Sequence, residues 1–208
     1  MSAVNDTKAT NDRIIWIDCE MTGLDLRQDA LIEVACLVTD FDLNQLGDGV
    51  DVLIKPPQEA LEQMGDFVRE MHTSSGLLTE LEQGLTMEQA QEQVLAYVRE
   101  FAPDAGRWPL GGNSVATDRA FLDRDMPQLA EHLHYRLIDV SSIKELSRRW
   151  YPRAYFAAPR KEGGHRALAD ITESIAELRY YREAVFVPPP GPDSATAKEI
   201  AARHTAGG

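Results

Sequence analysis

Two acids one residue apart, Asp18 and Glu20, close the apolar run Ile14-Ile15-Trp16-Ile17 just before Thr22-Gly23. The β-branched content of that run predicts a buried strand. Side chains alternate across a strand, so both carboxylates emerge on one side and Cys19 on the other. There they repel each other, and burial penalises both charges. The run contains no Lys or Arg. A divalent cation bound by hard oxygen ligands is therefore the economical counter-charge. A strand that simply ends in two solvated acids fits the same spacing, so partners elsewhere in the chain must decide between them.

Three further residues could complete such a site. Asp118 stands at a predicted helix start after Gly111-Gly112-Asn113-Ser114, where it could equally cap the helix. Asp170 lies in the first turns of another predicted helix, where an acid also offsets the helix dipole. His165 follows Gly163-Gly164 at the lip of that helix; a loop histidine is otherwise an ordinary solvated side chain. Together, these carboxylates and the histidine are what two-metal phosphoryl chemistry requires. Ions about 3.5–4 Å apart need shared carboxylates and open positions for water and substrate. A base of near-neutral pKa can take the proton of the attacking water. No Cys or His pair has the spacing of a closed zinc site.

The elements that must position these residues can be read from the periodicity. After the first strand, Ala30–Asp40 and Gly49–Lys55 read as two more, and the short links predict an antiparallel three-strand start. From Glu59 the period turns helical, with Leu61, Met64, Val68 and Met71 on one face and Phe67 and His72 near the end. Thr86-Met87-Glu88-Gln89 is a capping box that opens a helix through Phe101. Leu110–Val115 reads as a short strand whose glycines permit close approach of another backbone. A helix from about Thr117 to Met126, a strand over Tyr135–Val140 and a second capping box at Ser142–Glu145 follow. Tyr151–Gly164 reads as a loop, and Ala167–Arg182 as the last helix of the domain. This order predicts an α/β fold, one mixed sheet covered by helices. The expected organisation is a polar, unordered segment 1–11, a single domain over 12–187 and an unordered Pro-rich tail over 188–208, within which Ala197–Arg203 could form a helical turn.

Composition narrows the function. With 208 residues, 43% hydrophobic, the chain can bury a sizeable core. Its 21 basic and 34 acidic residues give a net charge of −13, which argues against coating long nucleic acid through a basic surface. A short nucleotide substrate held by metal ions and a few local cations remains compatible. Cys19 and Cys36, the only cysteines, lie in apolar runs and read as reduced core thiols. No stretch is apolar and long enough to cross a bilayer, and the first residues lack the pattern of a signal peptide, so a cytoplasmic location is the default.

Four blocks carry a resemblance to a known family: Ile-Trp-Ile-Asp-Cys-Glu-Met-Thr-Gly-Leu, Gly-Asn-Ser-Val-x-x-Asp-Arg-x-Phe-Leu, His-Tyr-Arg-x-x-Asp-Val-Ser and His-Arg-Ala-x-x-Asp-Ile. The chain resembles the oligoribonuclease family over roughly residues 14–182, within the DEDD superfamily of 3′-to-5′ exonucleases that use a histidine base. The resemblance implies a ribonuclease-H-like fold, a homodimer and two magnesium or manganese ions. It also implies removal of 5′-nucleotides from very short RNA, dinucleotides above all.

By position, Asp18, Glu20, Asp118 and Asp170 resemble the family's metal ligands and His165 its general base. Asp18 would be shared by both ions, Glu20 and Asp170 would serve the one near the attacking water, and Asp118 the other. Leu24 is similar to the family's wedge between the two bases, and His72 to its base-contacting histidine. Phe67 stands where many members carry Trp, so base stacking there loses only an indole N–H. Ser114, Arg136 and Ser141 resemble the group that caps the substrate's 5′ phosphate. Tyr135 and Arg136 lie in a block that members present to the neighbouring subunit's site. A closed end of this kind measures length, because a longer strand would press its next phosphodiester against the cap.

Two other readings compete. An exonuclease for long substrates would need a basic track, for which there is no Lys/Arg run. A non-catalytic binding module would not require the histidine. The apolar and aromatic content of Leu133–Trp150 is also more than a lone surface segment needs, in keeping with a dimer.

Overall fold

Arg13–Met21 forms the central strand, β1, of the computed structural model, which describes residues 12–159 and 166–205. Leu31–Asp40 (β2) pairs antiparallel with β1, and Gln45–Leu53 (β3) pairs antiparallel with β2. On the other side, Leu110–Gly112 (β4) runs parallel to β1 and Leu137–Asp139 (β5) parallel to β4. The sheet order is thus β3-β2-β1-β4-β5, the mixed sheet of a ribonuclease-H-like α/β fold with the expected antiparallel start. The third strand begins four residues before its expected start, and Gly47 and Gly49, both with positive φ, lie within it.

Alternation along β1 decides what covers each face. Ile15, Ile17 and Cys19 enter a core with Met87–Phe101 (α4), Ala116–Asp125 (α5) and Pro127–His132 (α6). Ile14 and Trp16 face the opposite layer, built by Val140–Trp150 (α7) and Ala167–Ala184 (α9). The Trp16 indole N–H is buried but satisfied, donating to Thr39 Oγ1 at 2.9 Å. Gly111 pairs with Trp16, and a Cβ there would come within 3.0 Å of the indole ring. The glycine thus admits a side chain, where the sequence suggested a backbone.

Several boundaries differ from expectation for local reasons. The helical stretch after Glu59 is broken at Gly65 into Gln58–Glu62 (α1) and Asp66–Ser74 (α2), followed by Leu77–Glu80 (α3). The capping box at Thr86 forms as read. The second one, at Ser142, does not: α7 starts three residues earlier because Asp139 caps it, accepting from the Ser141 N–H at 2.9 Å. That early start also shortens the preceding strand. The segment read as a loop after Tyr151 contains Pro152–Ala157 (α8), with Pro152 at its first position, where the missing N–H costs nothing. In the tail, Ser194–Thr205 forms a helix (α10), longer than the turn expected over Ala197–Arg203. Asp193 caps it through the Thr196 N–H at 2.8 Å, and every residue of it is exposed. Segment 1–11 lies outside the described residues.

Candidate active site

Three acids meet at the C-terminal end of β1. Carboxylate oxygens of Asp18, Glu20 and Asp170 lie within 4.8 Å of one another. Strand alternation sends Asp18 and Glu20 to the side that α9 covers, and the apolar seam of α9 (Ala167, Ile171, Ile175) packs on Ile14, Trp16 and Leu37. That packing holds Asp170, in the first turn of α9, against the strand.

The start of α9 is fixed by an acid that the sequence reading passed over. Glu33 stands directly opposite Glu20 in the β1–β2 register and is fully buried. Its carboxylate accepts from the Ala167 N–H at 3.1 Å and from Arg166 Nε at 2.9 Å. Arg166 also pairs with Glu80 of α3 at 3.3 Å. An acid in the otherwise apolar run Leu31–Val38 was the available signal. Such a residue requires a buried partner, which only the fold identifies.

Electrostatically the cluster is strained. Burial, then the charges of Asp18, Glu33, Asp170 and Asp118, pushes the Glu20 carboxyl up to about 8. Hard oxygen donors in mutual repulsion, gathered at one point, are the donor set a divalent cation fits. Asp118 stands apart from the three. Burial raises it to about 6, and its Oδ1 accepts from the Cys19 N–H of β1 at 3.0 Å. The fourth acid is therefore tied to the strand between Asp18 and Glu20, not to the cluster itself. Cys19 and Cys36 are buried free thiols, as expected. His165 lies outside the described residues, directly before Arg166.

Beyond β1 the chain turns through Thr22–Ala30 around buried Asp29. Asp29 accepts from Thr22 Oγ1 at 3.1 Å and from the Asp25 N–H at 2.8 Å. Gly23 is required there, since a Cβ would fall 2.4 Å from that carboxylate. The turn presents Leu24 to solvent, 73% exposed, and α2 presents Phe67, 79% exposed. Large apolar side chains held out on ordered elements are suited to stacking against a base. His72 is placed differently. Its ring is fully buried, with Nε2 2.9 Å from the Met21 carbonyl and Nδ1 3.9 Å from Glu20 Oε2. It stands behind the acids, not on the open surface.

A second polar group forms where β4 and β5 end. Ser114, whose φ of 53° is left-handed, donates from its hydroxyl to Ser141 Oγ at 3.2 Å. Ser141 Oγ in turn donates to Asn113 Oδ1 at 2.9 Å. Asn113 Nδ2 donates to Ser174 Oγ at 2.8 Å and to Glu177 Oε2 at 3.2 Å, which ties the group to α9. Asp139, Ser141, Lys144 and Tyr155 line an open cavity of about 650 Å³ beside it. The two expected serines are thus together, whereas Arg136 is elsewhere. It precedes β5 and lines a cavity of about 380 Å³ with Asp12, Arg107, Trp108 and His134, at the opposite end of the strand. Tyr135 beside it is 76% exposed.

A mixed sheet with acids converging at the end of its central strand is an arrangement suited to metal-assisted hydrolysis. The exonuclease family model RNase_T matches residues 15–178. An oligoribonuclease of Streptomyces coelicolor is 70% identical over 194 residues, covering 93% of this chain and 97% of that protein. One of Cutibacterium acnes is 62% identical over 191 residues, covering 92% and 95%. The chain belongs to the oligoribonuclease family of exonucleases; it is a hydrolase, a 3′-to-5′ exoribonuclease. Among solved structures, Exonuclease I of Methylocaldum szegediense is similar with a TM-score of 0.60 at 19% identity, over 84% of this chain and 41% of that one. E. coli Exonuclease I in complex with a dT13 oligonucleotide gives 0.64 at 12%, over 83% and 41%. The chain spans about two-fifths of those proteins, and the likeness shows the fold alone. Among the described residues, no helix is long and apolar enough to cross a membrane.

Proposed function

We propose that this exoribonuclease acts in the cytoplasm, as a homodimer, on very short RNA, dinucleotides above all. It releases 5′-mononucleotides by two-metal-ion hydrolysis with His165 as general base. Two divalent ions, Mg²⁺ or Mn²⁺, would be held by Asp18, Glu20, Asp118 and Asp170 and, when bound, supply Lewis-acid stabilisation of charge at the scissile phosphate. His165 takes the proton of the attacking water, and the 3′ oxygen of the preceding nucleotide leaves. Leu24 separates the two bases and Phe67 stacks on one of them. His72 supports Glu20 and the Met21 backbone from behind. Ser114 and Ser141 hydrogen-bond the terminal 5′ phosphate.

The observation that carries this reading is the meeting of Asp18, Glu20 and Asp170 within 4.8 Å, with Asp118 bonded to the same strand. Mutually repelling acids of this kind, with Glu20 buried among them, favour a bound cation. The net charge of −13 leaves little to hold a long RNA, which favours short substrates. Two buried, unbridged cysteines fit a reducing compartment. Arg136 lies away from the serine pair of its own chain, and Tyr135, Trp150 and Phe156 are exposed near it and along α7 and α8. A second subunit would cover those aromatics and bring Tyr135 and Arg136 to the neighbouring cap.

Turnover of labelled RNA from two to ten nucleotides, with and without EDTA, tests the proposal. The rate is expected to be greatest for the two-mer and to vanish in EDTA. Equal rates across the series would overturn the length preference, and activity in EDTA the metal mechanism. Sedimentation showing a fully active monomer would overturn the dimer.

A further inference from the structure

Asp139 has no role in the site as described so far, yet one of its oxygens holds both serines of the cap. Oδ1 accepts from the Ser114 N–H at 3.0 Å and from the Ser141 N–H at 2.9 Å. Oδ2 lies 3.4 Å from the Ser142 hydroxyl, which donates to it. The two clamped residues come from different segments, one after β4 and one in the first turn of α7. Their hydroxyls are brought to 3.2 Å. Ser114 is also one of two described non-glycine residues with left-handed φ, at 53°. A serine enters that region against a steric cost, and a charged acceptor on its N–H is a strong local compensation.

A carboxylate beside a subsite for a phosphate dianion is unfavourable as a direct contact, since like charges repel. In this structure its oxygens already accept from two N–H groups and a hydroxyl. The carboxylate thus serves the backbone of the cap, although Asp139 also lines the adjoining cavity. Capping of α7 alone would require only the Ser141 N–H. The bond to Ser114, 25 residues away in sequence, is the additional feature.

We propose that Asp139 is a positioning residue for the terminal-phosphate subsite: by clamping the backbone of Ser114 and Ser141 to one oxygen, it sets the spacing of the two hydroxyls that receive the 5′ phosphate. This rests on the cap reading given above, under which the two hydroxyls turn from their mutual chain to donate to the anion. Asp139 contacts neither the phosphate nor the reacting atoms.

The test compares kcat/KM for a 5′-phosphorylated diribonucleotide with that for the same dinucleotide lacking the phosphate. The ratio of the two, taken within one preparation, is insensitive to any inactive fraction. Wild-type protein is expected to favour the phosphorylated substrate. Asp139→Ala is expected to lower that ratio by about tenfold, mainly through KM. Asp139→Asn, which keeps an acceptor oxygen and a competent helix cap, is expected to retain most of it. A role confined to capping α7 would lower the melting temperature of Asp139→Ala without moving the ratio. An unchanged ratio in Asp139→Ala would overturn the positioning role, as would an Asn variant that loses it as fully as Ala. A wild-type ratio of one would instead overturn the cap itself.

Discussion

At the end of β1, three acids lie within 4.8 Å of one another, and burial opposes the charge of Glu20. Where β4 and β5 end, Ser114 and Ser141 form a neutral pair whose hydrogen bonds run on through Asn113 to Ser174 and Glu177. The first region gathers mutually repelling donors of the kind that a divalent cation fits. The second satisfies itself within the chain, with its backbone positions already fixed. Strain of the first kind is characteristic of a reaction centre, where stability is given up for chemistry. A satisfied network is suited to recognition, because its geometry is set before the ligand arrives. The two are joined by α9, which contributes Asp170 to one region and Ser174 and Glu177 to the other.

The largest effect that would separate them is on turnover. Asp18→Ala is expected to reduce kcat by about a thousandfold or more while leaving the circular dichroism unchanged. Because Asp18 is among the charges that raise Glu20, the metal-free variant should melt no lower than wild type. Near-normal cleavage of a labelled dinucleotide would remove the distinction between the regions.

Glu33→Ala comes next and tests the shared scaffold. It strands the Ala167 N–H and breaks a pair with Arg166 whose acid is fully buried. A loss of about 2–4 kcal/mol in urea unfolding is expected, together with lower turnover as Asp170 loosens. Wild-type stability would mean that α9 is held by its apolar seam alone.

At the cap the effect is smaller. Ser141→Ala is expected to raise KM for a 5′-phosphorylated dinucleotide about tenfold, with kcat little changed. A drop in kcat with KM unaltered would place Ser141 in the reaction centre instead.

The smallest expected change is in melting temperature. The Glu20 carboxyl is raised from 4.5 to about 8 in the folded, metal-free protein. A raised folded value means that its stabilisation is complete below the unfolded pKa and is lost as pH rises through about 8. Asp118, raised from 3.8 to about 6, acts in the same direction over a lower window. Divalent metal favours the ionised forms, so Mn²⁺ should raise the melting temperature by more at pH 8.5 than at pH 6, by a few degrees. Equal shifts at the two pH values would mean that the acids are not the site of binding.

Local pattern was enough for much of this protein. The apolar run before Asp18, the alternation that sends Asp18 and Glu20 to one side, the antiparallel start and the capping box at Thr86 are all short-range properties, legible from neighbours in the chain. The blocks around Asp18, Ser114, Tyr135 and Asp170 gave the family. Where local signals were in competition, the reading failed: Asp139 outcompeted Ser142 as the cap of α7, and Gly65 divided an otherwise periodic helix. Only the tertiary structure could show that Glu33 anchors α9, that Asp139 clamps two distant serines, and that Arg136 sits away from them. The physical reason is that strand and helix periodicities act over a few residues, whereas a buried carboxylate is defined by the donors that fold against it. The Ser114 N–H that binds Asp139 and the Ala167 N–H that binds Glu33 lie 25 and 134 positions away, where no spacing rule reaches.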